Sequence, residues 1–351
     1  MTTPFYATRE DVQQAMDSKL TARDNARIDR ALEAATRSVE GLCHRRFYPQ
    51  QGTRSFDWPN GQRAFPWRLW LDDNDLISVT ELSSGGVVIP PDEYFLRRAD
   101  DRDEPPYTFL ELNIGTSAAF GGGDTWQRDI SITGLWGYSA DTAPAGALAA
   151  DVDATIGTVQ VTDSAAAGVG DLLQIGTERL IVTGKSMVST GQTLQADLTA
   201  AAASVTVQVD DGTAFAEGET ILLDAERMLI TDIAGDTLIV RRAWDGSVLA
   251  THTSSTIYAP RTLRVNRGAL GTTPAAHTTS TPVLRHLVPG PVRTLAIAEA
   301  LTTLQGETTG YARTRRTGNG QAERVVSSSG VTDLRSQVYA SHGRKARLRG
   351  V

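Results

Sequence analysis

The sequence predicts an α+β protein: a small helical core packed with an antiparallel β region, an inserted all-β repeat domain and an extended C-terminal tail. Amphipathic helices near both ends of the chain, duplicated β-type segments between them and a polar, arginine-rich end support this prediction. We expect four segments. Residues 1–144 form the N-terminal part of the core, 145–286 the inserted domain, 287–306 a helix that completes the core, and 307–351 a basic extended tail.

The strongest helix prediction covers residues 21–46. Thr21 and Asp24 match a capping box, in which two side chains satisfy free backbone N–H groups at a helix start. An apolar stripe follows at helical spacing. Its members are Ile28, Leu32, Ala35, Val39 and Leu42. Thr8 and Asp11 match a second capping box, and we expect the short helix that they begin to fold back on the longer one.

Alternating residues predict short strands between the helix and residue 140. The predicted strands are 54–58, 76–82, 87–89, 94–96, 109–114 and 130–136, and 65–71 carries three large aromatic rings. Gly85 and Gly86 form the turn of a hairpin, and Pro90 and Pro91 end its second strand. Residues 140–150 are rich in Ala, Pro, Gly and Asp and are predicted to be a linker.

Two ungapped internal repeats follow. Seven residues from Val159 to Thr183 recur 48 positions later, and nine residues from Thr237 to Thr256 recur 25 positions later. Self-similarity of this kind indicates duplicated β units.

The repeats contain two sets of polar candidates. We interpret His252 and His277 as residues that stabilise hairpins, with ligand or metal contact as alternatives, because no acidic residue recurs beside both in the sequence. Two recurring acid–base neighbours are predicted to form cross-strand ion pairs. These neighbours are Glu178–Arg179 and Glu226–Arg227, and each is expected to pair across to another strand and not to act as a general acid.

A third helix is predicted after Pro289, with Pro291 at its first position. It carries Leu295, Ala298 and Leu301 on one face and ends at Gly306. We expect it to cover the stripe of the long N-terminal helix. The predicted core-packing residues are Ile28, Leu32, Val39, Leu42, Leu295 and Leu301. In the tail, residues 331–339 form one short helix or strand on a partner.

The net charge of −7 is unevenly distributed. From Glu307 onward nine Lys and Arg residues oppose three acidic ones, so the tail carries +6 and the body −13. An acidic body is unsuited to gripping duplex DNA, which requires clustered cations, whereas the basic tail suits an acidic partner surface.

Composition also excludes several classes of protein. A single cysteine, Cys43, excludes an intrachain disulfide framework, and we predict that it is buried. No run is apolar enough for a membrane span and no secretory signal is evident. We find no catalytic grouping, metal site or cofactor motif and expect a protein that is not an enzyme.

Three segments together resemble the head–tail adaptor (connector) proteins of long-tailed bacteriophages. They are a short helix followed by Ile-Asp-Arg-Ala-Leu-Glu-Ala-Ala at 28–35 and Val-Glu-Gly at 39–41, Ile-Ser-Ile-Thr-Gly-Leu-Trp-Gly-Tyr at 130–138, and the helix 291–304 with its basic tail. The resemblance covers about half of the chain. The Arg-Gly-Ala-Leu-Gly-Thr motif at 267–272 also resembles modules of phage structural proteins. The insertion departs from the compact adaptors.

The resemblance implies a homo-oligomeric ring, a dodecamer in most of the family, at the head–tail interface of the virion after assembly in the host cytoplasm. Its partners would be the portal protein and a downstream stopper connector or tail terminator, with transient non-specific contact to genomic DNA in the lumen and no membrane partner. Candidate portal- or neighbour-binding residues are Arg313, Arg315, Arg316, Arg324, Arg335 and Tyr339. The alternative is carbohydrate-binding, host-adhesion or decoration through the inserted β domain.

Overall fold

The computed structural model describes residues 3–16, 24–59, 65–100, 102–308, 314–316, 322–324 and 328–345. It is an α+β protein whose sheets are mostly antiparallel. The chain forms two compact units. The first contains Met1–Val39 and Thr142–Ser336, and the second contains Glu40–Asp141 and Gln337–Val351. This division groups the N-terminal helices with the repeats, whereas the boundaries expected from the sequence group them with the β region.

The described residues form four α-helices: α1 Arg9–Met16, α2 Asn25–Cys43, α3 Gly290–Thr308 and α4 Ser328–His342. The strands before the repeats are β1 Gln50–Phe56, β2 Arg68–Trp70, β3 Leu76–Ser84, β4 Val87–Ile89, β5 Tyr94–Arg97, β6 Phe109–Leu112, β7 Ile130–Trp136 and β8 Thr142–Ala147. Those that follow are β9 Thr158–Gln160, β10 Leu172–Ile175, β11 Glu178–Thr193, β12 Thr206–Gln208, β13 Thr220–Leu223, β14 Glu226–Ala234, β15 Thr237–Arg241, β16 Thr256–Asn266, β17 Pro282–His286, β18 Thr314–Arg316 and β19 Ala322–Arg324.

The start of α1 is the predicted capping box. The Thr8 N–H donates to Asp11 Oδ2 at 2.8 Å, and the Asp11 N–H donates to Thr8 Oγ1 at 3.1 Å. The expected start of α2 at Thr21 lies outside the described residues. Its end follows from His44, whose φ of +51° is left-handed and stops the helix at Cys43.

The predicted helical stripe is buried over most of its length. Ile28, Leu32, Val39 and Leu295 are fully buried. Leu42 and Leu301 are half-buried.

The ten-stranded sheet of the first unit contains two copies of one β module. The first module comprises residues 158–183 and 262–281, and the second comprises residues 206–256. The pairing of β9 with β16 in the first module matches the pairing of β12 with β15 in the second. The β-bulge after Val182 in the first module likewise recurs after Ile230 in the second. Buried positions are equivalent as well: Val159, Leu173, Leu180, Val182, Leu263 and Val265 correspond to Val207, Ile221, Met228, Ile230, Leu238 and Val240.

The second module is nested inside the first. The chain leaves the first module along β11 and returns along β16, and between these strands it builds the whole second module. Thr193 and Thr256 are cross-strand partners at this junction. The offsets of 48 and 25 residues therefore describe the two halves of one duplicated unit.

The second unit contains two antiparallel sheets, with strand orders β1-β7-β3-β4 and β2-β6-β5. Their inner faces share one apolar core that includes Leu69, Leu82, Leu110, Ile132 and Trp136. β7 is a central strand, between β1 and β3. Its side chains alternate between buried and half-buried, so one face of the strand points toward the core.

One expectation from the sequence was wrong. The predicted linker at 140–150 contains β8, which pairs with β17 and buries Ala145. In the tail, the short helix or strand expected at 331–339 is the helix α4, so the tail is not extended there, and Val338 of α4 is 1% exposed. A small apolar residue such as Ala145 can complete a sheet edge without giving a strong strand pattern.

Candidate functional site

Ion pairs join the helices from the two ends of the chain within the first unit. Arg9 binds Asp29 of α2 through two hydrogen bonds of 2.9 and 2.6 Å. Asp11 of α1 accepts two hydrogen bonds from Arg293 of α3, at 3.0 and 2.7 Å. Paired guanidinium–carboxylate geometry of this kind orients both partners.

A further pair connects the second and third helices, because Arg27 Nε lies 3.2 Å from Glu307 Oε2. α3 also holds the fourth helix: Arg335 donates to Glu299 Oε1 at 2.7 Å and to Ser38 Oγ at 3.3 Å. The chain ends thus form one helical assembly, which we call the end assembly.

Of the other candidate partner-binding residues, Arg313 is outside the described residues. Arg315, Arg316 and Arg324 lie on the β18–β19 hairpin, where Arg315 pairs in register with Glu323. Tyr339 is 37% exposed, and the Lys345 ammonium lies 5.0 Å from its ring centroid.

The two β modules bury a glutamate at equivalent positions, Glu178 and Glu226, within a hydrogen-bonded network. In the first module Glu178 accepts hydrogen bonds of 2.6 and 2.7 Å from Arg267, and His277 Nε2 lies 2.8 Å from the same carboxylate. The backbone N–H groups of Gly268 and Ala275 donate to it at 3.1 Å each.

The second module repeats the arrangement. Glu226 accepts two hydrogen bonds of 2.7 Å from Arg242, and His252 Nε2 lies at 2.9 Å. The N–H groups of Ala243 and Ala250 donate to it at 2.9 Å each. Because a carboxylate only accepts, the histidine Nε2 carries the proton in this contact.

These networks stabilise the charged form of both glutamates. Burial alone would raise the pKa of the Glu178 carboxyl. Hydrogen bonds from Arg267, His277 and the backbone have the larger effect and lower the pKa to about 2. The same opposing effects bring the pKa of Glu226 to about 2. Carboxylates with all their acceptor sites filled are suited to holding loops together and not to proton transfer.

The ion pairs expected of these recurring residues are confirmed for three of the four. Glu178 pairs with Arg267 and Glu226 with Arg242. Arg227 pairs with Asp245. Both histidines do contact an acidic residue, but that residue is distant in the sequence. Glu178 lies 99 residues from His277, and Glu226 lies 26 residues from His252, so no acidic neighbour in the sequence indicates either contact.

A polar groove of about 1150 Å³ lies in the second unit. Its lining includes Tyr339, Tyr138 and the guanidinium groups of Arg45 and Arg344. Arg45 and Arg344 both pair with the buried carboxylate of Asp75, at 3.3 and 2.9 Å.

One carboxylate here faces two guanidinium groups, which leaves the cluster positive. Burial raises the pKa of Asp75, and the charges of Arg45 and Arg344 oppose this shift. The groove can accept an acidic group from a partner. No local pattern in the sequence connects Asp75 with Arg344.

The described residues contain no cluster of three or more His, Cys, Asp and Glu side chains arranged to hold a metal ion. Within the same part of the chain, every helix is too short or too polar to cross a bilayer. Comparisons with family models, curated proteins and solved structures found no match for this chain.

Proposed function

We propose that this chain is a structural protein of a bacteriophage virion, a head–tail adaptor that forms a ring beneath the portal. In this role it links the capsid vertex to the tail and lines part of the channel through which the genome leaves. The portal, a stopper connector or tail terminator, and further copies of the chain are its partners.

The end assembly carries this proposal. Asp11 near one end of the chain binds Arg293 near the other, so a long β insertion is held on a helical base built from both ends. A joint between two particle components needs a rigid base that presents more than one surface. α3 contributes to it through Arg293 and Glu299 alike.

The distribution of charge supports the same role. The body is acidic, which favours passage of DNA over its retention, and the tail is basic. The hairpin β18–β19 places Arg315 and Arg316 in the tail, between the end of α3 and the start of α4. A basic hairpin that lies between two helices in the chain suits insertion into an acidic partner surface.

The test is binding of the full chain to the portal protein of the same phage, measured by co-sedimentation and imaged by electron microscopy. We expect a ring at one face of the portal. Reversal of three tail charges, Arg315→Glu, Arg316→Glu and Arg324→Glu, should weaken binding at least about tenfold, since clustered interfacial charges control association.

A matched control reverses three exposed arginines outside the tail: Arg30, Arg128 and Arg264. This control should bind the portal as the unaltered chain does. Equal binding by the tail variant, or no binding by any form, would contradict the proposed function.

A further inference from the structure

The second unit exposes an aromatic surface on the outer side of the sheet β2-β6-β5. Phe65, Trp67, Trp70 and Phe95 define this aromatic face, and Phe65 and Phe95 are 53% and 45% exposed. Phe65 and Trp67 stack with their ring centroids 4.8 Å apart. Contiguous exposed apolar surface of this kind marks an interaction site.

Strand alternation explains how the surface arises. Leu69, Leu96 and Leu110 point inward to the core, so their neighbours Trp70 and Phe95 must point outward. Arginines frame the rings: Arg68 lies over the Phe65 ring at 5.3 Å, and Arg97 lies over the Phe95 ring at 5.4 Å. Trp, Phe and Arg are the residue types enriched at the centres of protein interfaces.

A second exposed apolar feature lies on the other sheet of the same unit. Val87 and Val88 on β4 are 68% and 56% exposed, and β4 is the edge strand of its sheet. We call β3, β4 and their turn the valine hairpin. Natural edge strands are commonly protected by lysine or proline, and the exposed positions of β4 carry neither.

The valine hairpin is held rigidly. The Gly85 N–H and the Ser84 hydroxyl both donate to Asp129 Oδ2, at 2.9 and 2.8 Å. Gly85 has φ +57°, and a Cβ there would lie 2.6 Å from the carbonyl carbon of Gly122. The contacts with Asp129 and Gly122 therefore fix the conformation of the turn. A turn that is already fixed loses little conformational entropy when it binds a partner.

The two surfaces have complementary charge. Arg68 and Arg97 frame the aromatic face, and Glu111 neutralises only one of them. The valine hairpin, residues 76–89, includes Glu81 but no lysine or arginine. An apolar projection without positive charge fits an aromatic surface with a basic rim.

We propose that the valine hairpin of one copy of this chain docks on the aromatic face of the next copy. Because the two surfaces differ, the contact is heterologous and can close a ring. This inference rests on the proposed function, for which it names the contact between neighbouring copies.

The test compares two charge insertions by size-exclusion chromatography with light scattering and by native mass spectrometry. Val88→Glu removes the hairpin contact and Phe95→Glu removes the face contact. Each should weaken self-association at least about tenfold relative to the unaltered chain, as loss of a central interface residue does. Val248→Glu and Tyr258→Glu are matched controls, because these residues are 78% and 39% exposed on the second module and on β16.

Mixing the two variants is the decisive measurement. Phe95→Glu keeps an intact hairpin and Val88→Glu keeps an intact face, so an equimolar mixture should form a one-to-one heterodimer and nothing larger. Formation of that heterodimer also shows that both variants are folded.

Three outcomes would overturn the inference: a monomeric unaltered chain at about 100 μM, variants that assemble as the unaltered chain does, or a mixture that contains only monomers. None of these outcomes measures portal binding, so a failed contact between copies can be distinguished from a failed head–tail function. Variants that still bind the portal would retain the function and lose only this contact.

Discussion

The carboxylate of Glu178 accepts two hydrogen bonds from the guanidinium of Arg267, although 89 residues separate them in the chain. The equivalent pair in the second module, Glu226 and Arg242, is separated by 16 residues. The difference arises because the nested module lies between the two halves of the first module. Closure of the first network therefore requires the second module to fold, or at least to bring its two ends together.

Replacing Glu226 by Gln should destabilise the second module selectively. The substitution leaves the buried guanidinium of Arg242 without its counter-charge, which typically costs about 3–5 kcal/mol. Hydrogen exchange should show lost protection in residues 206–256 and retained protection in the first module. Glu217→Gln, at an exposed position, is the control. Uniform loss across both modules would show that they unfold as one unit.

Acid should destabilise both modules. A carboxyl group with a lowered folded-state pKa stabilises the protein above its unfolded pKa, and this stabilisation is lost as pH falls through the folded pKa. With pKa values of about 2 for Glu178 and Glu226, the loss should run from about pH 4.5 to pH 2. Thermal unfolding followed against pH checks this, and the double variant Glu178→Gln, Glu226→Gln should show a shallower dependence in that window.

Asp171 should behave in the opposite sense. Burial raises the pKa of Asp171 to about 6, and Arg285, 4.0 Å away, offsets this only in part. Its contribution to stability is therefore present below the unfolded pKa and lost as pH rises to about 6. Asp171→Asn keeps an acceptor for the Gly168 N–H and should stabilise the protein at pH 8 by about 1–3 kcal/mol. Equal stability of the two proteins at pH 8 would contradict this.

The second module should be removable. Because Thr193 and Thr256 are cross-strand partners, an Asn-Gly turn in place of residues 194–255 should close β11 onto β16. We expect a folded protein whose circular dichroism retains the remaining strands.

Deleting residues 150–285 should instead destabilise the first unit. The backbone N–H groups of Phe5 and Arg9 donate to the carbonyls of Gly170 and Val169, at 2.9 and 3.1 Å, and these acceptors would be lost. Comparison of the two deletions by thermal unfolding separates the module that is dispensable from the one that supports α1. A soluble, equally stable long deletion would show that the first module is peripheral as well.

Cys43 should resist modification in the native protein. Its side chain is fully buried, and burial raises the pKa of the thiol to about 11. Since only the thiolate reacts, Ellman's reagent should label it slowly in buffer and at once in denaturant. Fast labelling of the native protein would show that the C-terminal end of α2 opens.

Local patterns predicted much of the fold and little of the polar chemistry. The strands at 87–89 and 130–136, the capping box of Thr8 and Asp11 and the burial of Cys43 are confirmed, because each depends on neighbouring residues alone. Even the duplication was visible, since equivalent residues recur at constant offsets.

The nesting of the modules was not predictable from the same offsets. An offset shows which residues are equivalent but not which halves pair, so Glu178 and Arg267 could not be connected. The cluster of Arg45, Asp75 and Arg344 was missed for the same reason, because long-range ion pairs leave no local signal. For residues 331–339 the sequence predicts either a helix or a strand, because these residues lack a clear apolar period, and the structure has the helix α4 there.

The junction at Thr193 and Thr256 also suggests how such a chain could have grown. A segment that departs and rejoins at adjacent positions can be exchanged for another of any length, provided that its own ends meet. The hairpin between β11 and β16 is therefore a natural place at which evolution, or an engineer, can graft a foreign domain while the host sheet keeps its register.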